Sequence, residues 1–125
     1  MIPGSDRDHP TFIRSFRFAL EGIGIAIKTE RNIKVMLGIG AVALIVSAWL
    51  ALDPISWCII LMCCALVIHA ELVNTALEAV VDLASPEIHP LAKRAKDIAA
   101  ASVYVLSVMS ALVGLLVFSH ALGLW

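Results

Sequence analysis

The sequence predicts an all-α membrane protein: an N-terminal amphipathic surface helix followed by three transmembrane helices. Three observations carry this. Hydrophobic residues make up 61% of the chain and charged residues 15%, with a mean hydropathy of +0.96, whereas a soluble domain is nearer 45–50% apolar. Residues 35–52, 54–70 and 98–122 carry no Asp, Glu, Lys or Arg. All nine Lys and Arg fall at positions 7, 14, 17, 28, 31, 34, 93, 94 and 96, and three crossings bring both clusters to one side. The positive-inside rule makes that side cytoplasmic. A chain of 125 residues has room for one domain, 1–125. Its net charge of −1 gives no basic field for nucleic acid.

The elements follow in order. Residues 1–9 read as a polar cytoplasmic tail. Nothing there resembles a cleavable signal peptide, because Asp6 and Asp8 precede a late first apolar run. Over residues 10–34, Phe12, Phe16, Ala19, Ile23, Ala26 and Ile27 recur at helical spacing while Arg14, Arg17, Glu21, Lys28 and Arg31 lie off that stripe. This is the pattern of a helix lying in the membrane interface. Residues 35–52 span about 27 Å as a helix, enough for one crossing. Trp49 near the end suits an interfacial aromatic. Asp53 then caps a second crossing over 54–83, with Pro54 at its first helical position.

That second crossing is about 45 Å long, more than a hydrocarbon core requires. Its cytoplasmic half carries Glu71, Asn74, Glu78 and Asp82, which fall within roughly 80° of one another on a helix. Ionisable residues in or near a bilayer are expensive and usually face a protein interior or a water-filled site. His69 lies roughly opposite this seam and reads as a packing or interfacial histidine rather than a ligand. Ser85 and Pro86 end the helix, residues 84–97 form a cytoplasmic loop, and Pro90 can start the next helix. The third crossing, 98–122, is rich in small residues (Ala99, Ala100, Ala101, Ser102, Ser107, Ser110, Gly114) that let membrane helices approach. The three cysteines, Cys58, Cys63 and Cys64, share one apolar run without metal-site spacing and read as packing side chains.

Carboxylates and cations concentrated at the cytoplasmic membrane surface fit phosphoryl transfer from a nucleotide. Carboxylates bind Mg²⁺, which bridges phosphates and keeps waters. Cations neutralise phosphate oxygens, and one carboxylate can accept the attacking hydroxyl's proton. No GxxxxGK[ST] is present, which excludes a P-loop enzyme, and no HExxH occurs either. The residues alone therefore give a membrane site for metal and phosphate, with the substrate open.

Glu71, Asn74, Glu78 and Asp82, then Ser85-Pro86-Glu87, His89 and Leu91, then Ala95-Lys96-Asp97, resemble the signature of the small prokaryotic diacylglycerol kinase / undecaprenol kinase family. Glu30-Arg31-Asn32 is similar too, and the resemblance covers about residues 10–122. It implies a three-crossing kinase of the bacterial inner membrane that uses Mg-ATP to phosphorylate a lipid hydroxyl on the cytoplasmic side. It also implies a homotrimer with sites shared between subunits. Residue by residue, Glu71 matches the general base at the lipid hydroxyl. Glu78 matches a metal-binding carboxylate, with Glu30 as its partner. Asn74 and Trp49 match substrate-side positions. Phe18, Glu30, Glu78, Glu87, Ile88, His89, Lys96 and Asp97 match nucleotide-contacting positions. Met36 departs from the pattern, standing where members carry a His or an acid. The loop wording resembles the undecaprenol-kinase branch more than the diacylglycerol-kinase branch, and the acceptor stays open between the two.

A reading from another class is a small oligomeric proton or cation conductor whose acidic seam lines a pore. It needs polar groups through the full membrane depth, and residues 54–68 and 103–118 offer few beyond cysteines and scattered serines. The basic loop at 93–97 would also have no task in a cation path.

Overall fold

The computed structural model describes residues 11–125. The tail expected over 1–9, with Asp6 and Asp8, lies outside the described residues. Four helices follow one another: α1 Phe12–Thr29, α2 Arg31–Trp49, α3 Pro54–Ala84 and α4 Pro90–Ala121. No strand occurs among the described residues. α2, α3 and α4 are each long and apolar enough to cross a membrane, so the all-α fold with three candidate spans is observed.

α3 and α4 make the most extensive helix pair, α2 packs on α3, and α1 touches both α2 and α3. The buried core is small. Its apolar members are Ala26, Ile33, Ile60, Ala70, Ala99 and Val103, and three of the six are alanines, which let helix backbones approach closely. Ser47 is fully buried and satisfies itself by donating to the Ala43 carbonyl at 2.7 Å. On α1, Phe12, Ile13, Phe16 and Ile25 are exposed, an apolar surface that a membrane interface can cover.

The turn from α2 to α3 is built from two caps. Leu52 N–H donates to Ser47 O and Ala51 N–H to Ala48 O, each at 3.1 Å, the two bonds of a Schellman motif. Ala51 takes a φ of 50° to close it. Asp53 then accepts from the backbone N–H of Ile55 and Ser56 at 3.0 and 3.1 Å and from the Ser56 hydroxyl at 2.5 Å. Those donors hold its carboxyl below the usual range. Pro54 occupies the first helical position, where its missing N–H costs nothing.

Helix boundaries differ from the sequence reading at two junctions, and α2 also ends at Trp49, three residues before the expected 52, where the Ala51 turn closes it. The surface helix expected over 10–34 ends at Thr29, Glu30 is extended (φ −102°, ψ 117°), and residues 31–34 are the first turn of α2. α2 therefore runs Arg31–Trp49 rather than 35–52. The loop expected over 84–97 is confined to 85–89, and residues 90–97 form the first two turns of α4, which the sequence reading began at 98. His89 makes the second difference possible: its ring Nδ1 accepts from Leu91 N–H at 3.1 Å, and Pro90 follows at the first helical position.

Candidate active site

The seam on α3 is graded by burial. Glu71 is 2% exposed and Asn74 8%; Glu78 is half-buried and Asp82 exposed. The four recur at three- and four-residue spacing, so one helix face carries them from the interior to the open end. Asn74 Nδ2 donates to Glu78 Oε1 at 3.1 Å. Its Oδ1 is buried without a partner, as is Thr75 Oγ1. An unpaired buried acceptor is costly and points to a donor that arrives with a ligand or water.

The α1–α2 junction completes this face. Asn32, in the first turn of α2, is within hydrogen-bond reach of the Glu71 carboxyl, and Glu30, at the extended residue between the helices, and Glu78 are near enough for their charges to act on it. The three carboxylates thus share one region drawn from two parts of the chain. Among the described residues, no group of three or more His, Cys, Asp or Glu forms a ready-made metal cage. Glu30 and Glu78 instead offer two carboxylates. That donor set suits Mg²⁺, which binds one or two protein carboxylates and fills its other positions with water and phosphate oxygens.

On the other side of the 85–89 loop, Lys96 on α4 pairs with Asp82 on α3, and Lys93 pairs with Asp97. Glu87 and His89 are exposed in and beside that loop, and Ile88 projects fully into solvent. Ser85 Oγ donates to the Glu87 carbonyl at 3.1 Å and fixes the loop's first turn. Since His89 Nδ1 accepts a bond, its Nε2 carries the ring proton and stays free to donate. Phe18 is on α1 with the Arg14 guanidinium 5.5 Å from its ring centre.

Trp49 is not brought to this site. It ends α2 and is 79% exposed, about 24 Å of helix from Ile33. His69 is exposed. Asn32, which the sequence named only within Glu30-Arg31-Asn32, and Asp82, a member of the seam without an assigned role, are the two additions. A groove of about 590 Å³ opens at Asn32 and runs between α2, α3 and α4 past Met36, Gly40, Cys64, Ser107 and Ser110. Met36, the departure from the family pattern, is one of its apolar walls.

The fold and site together define a small helical membrane protein with a buried carboxylate in the polar half of α3 and two further carboxylates near it. The family described as prokaryotic diacylglycerol kinase matches residues 17–118. An undecaprenol kinase from Bacillus subtilis is 41% identical over 107 residues, covering 86% of this chain and 87% of that protein. A diacylglycerol kinase from Synechocystis sp. is 37% identical over 106 residues, 84% of this chain and 61% of that protein. One from Escherichia coli is 34% identical over 79 residues, 62% of this chain and 65% of that protein. The chain belongs to the prokaryotic diacylglycerol kinase family. It is a lipid kinase, with ATP as its co-substrate.

Proposed function

We propose that this kinase transfers the γ-phosphoryl group of ATP to the hydroxyl of a polyprenol such as undecaprenol, at the cytoplasmic face of a bacterial inner membrane. The observation that carries the chemistry is Glu71, a carboxylate buried to 2% exposure with Glu30 and Glu78 beside it. A base buried at the inner boundary of a membrane helix meets a lipid hydroxyl at the depth where such a hydroxyl lies. Glu71 takes the hydroxyl proton as the alcohol oxygen forms its bond to the γ-phosphorus, and the bond to the ADP oxygen breaks. Mg²⁺, when bound, neutralises the phosphate charge. Glu30 and Glu78 are the residues that would hold it. Asn74 orients Glu78 through its Nδ2, and its orphaned Oδ1 is free to accept from a water that enters with the substrates, the single hydroxyl proton being taken by Glu71.

The nucleotide lies over the 85–89 loop, with Lys96 on a phosphate, Glu87, Ile88, His89 and Asp97 around it, and Phe18 covering it from α1. The acceptor's apolar chain leaves Glu71 along the groove that opens at Asn32, where Met36 suits a hydrocarbon. The polyprenol is favoured over diacylglycerol by the undecaprenol kinase relative, which this chain matches over 87% of that protein's length. The working unit is a homotrimer whose sites are shared between subunits. Support for it is the family membership and the small-residue faces of α4.

The test is transfer of ³²P from γ-labelled ATP by purified protein in mixed micelles, with undecaprenol and dioleoylglycerol offered in parallel. Label should move preferentially to undecaprenol. Preference for dioleoylglycerol would reassign the acceptor. Transfer to neither by folded protein would reject the reading of the site.

A further inference from the structure

We infer that Asp82 is a positioning residue for the nucleotide: it fixes the Lys96 ammonium at the water-side end of the carboxylate seam. The inference rests on the proposed role of Lys96 at a phosphate. Three ion pairs occur among the described residues. Arg17–Glu21 and Lys93–Asp97 are four residues apart, each within one helix. Lys96–Asp82 alone joins two helices, bridging the last turns of α3 and the second turn of α4 across the 85–89 loop.

Exposure decides what this pair can do. Its side chains are 37% and 65% exposed, and ion pairs so open to water add little to stability. A brace for the helix hairpin would be better made from apolar contact, which α3 and α4 already have. What the pair does achieve is placement. Asp82 lies on the same face as Glu78, one turn or about 6 Å further along α3. The ammonium held there stands in line with the carboxylate proposed for the metal, within the span of a triphosphate. Lysine has a flexible four-carbon stem and three N–H donors. Asp82 occupies one donor and leaves two for phosphate oxygens, while ordering the stem before the nucleotide arrives. Asp97, the nearest alternative anion along α4, is engaged by Lys93 and does not compete.

The experiment measures equilibrium binding of a fluorescent ATP analogue with Mg²⁺, the KM for ATP, kcat and Tm, on detergent-purified protein. Asp82→Asn should weaken nucleotide binding and raise KM about fivefold, the scale of ordering one rotamer-rich side chain, with kcat changed by less than about twofold. Asp82→Glu should restore most of the affinity. Lys96→Met should weaken binding more, and Asp82→Asn added to Lys96→Met should change nothing further, because Asp82 acts only through Lys96. Unchanged or tighter binding in Asp82→Asn, with Lys96→Met impaired, would overturn the inference and leave the phosphate role of Lys96 standing. A lower Tm with unchanged binding would make the pair a brace and overturn it equally. Full binding by Lys96→Met would remove the phosphate role itself.

Discussion

Glu71 and Asn74 are the two polar side chains on α3 that the fold encloses, and each carries a distinct expectation. Glu71→Gln keeps shape and burial but removes the proposed base. Turnover should fall by about 10²-fold or more, the scale of a lost general base, while nucleotide binding stays near wild type. Loss of binding instead would move Glu71 into the metal set. Asn74→Ala releases Glu78 from its 3.1 Å hydrogen bond. Removing such a supporting partner typically costs a metal site about tenfold or more in affinity. The Mg²⁺ dependence of activity should shift accordingly, and Glu78→Gln should shift it further. An unchanged Mg²⁺ requirement in both variants would place the metal elsewhere. The seam was readable in the sequence because three- and four-residue spacing on a helix fixes a common face whatever surrounds it. The Lys96–Asp82 pair was not. Its members are fourteen residues apart, and their meeting depends on how the loop through Pro86 and Pro90 turns one helix onto the other. Asn32 beside Glu71 was hidden for the same reason, since only the α1–α2 junction brings it there.

That junction shows where helix-level reading stops. Residues 28–31 contain no proline or glycine, so local propensity gives no reason to end α1 at Thr29. The break is a tertiary choice that turns Glu30 toward α3. The opposite error came at α4, where the basic residues 93–96 read as loop but begin a helix once His89 and Pro90 supply its cap. The other helix ends follow local chemistry closely enough to predict from. α2 and α4 close with the same two-bond Schellman motif: Gly123 takes a φ of 72° at the end of α4, and Ala51 takes 50° at the end of α2. A left-handed alanine is strained by about 1–2 kcal/mol, and glycine gives back part of that through a freer unfolded chain. Ala51→Gly should therefore stabilise the protein by up to about 1 kcal/mol in thermal unfolding, whereas Gly123→Ala should destabilise it. At the next cap, Asp53→Ala should lower Tm by leaving two N–H groups of α3 unpaired. The Asp53 carboxyl titrates below its ordinary value of 3.8. Its contribution is thus present above that value and is lost as pH falls through the lower folded one. The wild type's advantage over Asp53→Ala should shrink at such pH; a pH-independent difference would rule out the charge as the source of the cap's strength.

The chain exposes more surface than a compact soluble monomer of its mass. Its 9681 Å² compares with about 6,500 Å² expected for a soluble chain of 13.4 kDa. Large apolar side chains contribute to it: Ile39, Ile45, Leu61, Met62, Leu112 and Leu115 all stand exposed along the three candidate spans. Lipid tails and further copies of the chain are the two covers available for it, and the proposed trimer uses both. The same elongated shape separates the ends chemically. Glu30, the basic residues of α1 and α4 and the polar end of α3 gather at one end. The other holds the Asp53 turn, Trp49 and a C-terminal cluster in which Trp125 Nε1 donates to Ser119 Oγ at 2.8 Å. The proposed orientation places the first end in the cytoplasm. In a variant with Cys58, Cys63 and Cys64 replaced by alanine, a cysteine at Leu52 in the α2–α3 turn should react with a membrane-impermeant maleimide on intact spheroplasts. A cysteine at Ser85 should react only after permeabilisation, because it shares an end with the basic residues. The opposite pattern would place the proposed catalytic carboxylate on the side without ATP, and the kinase could not then work as proposed.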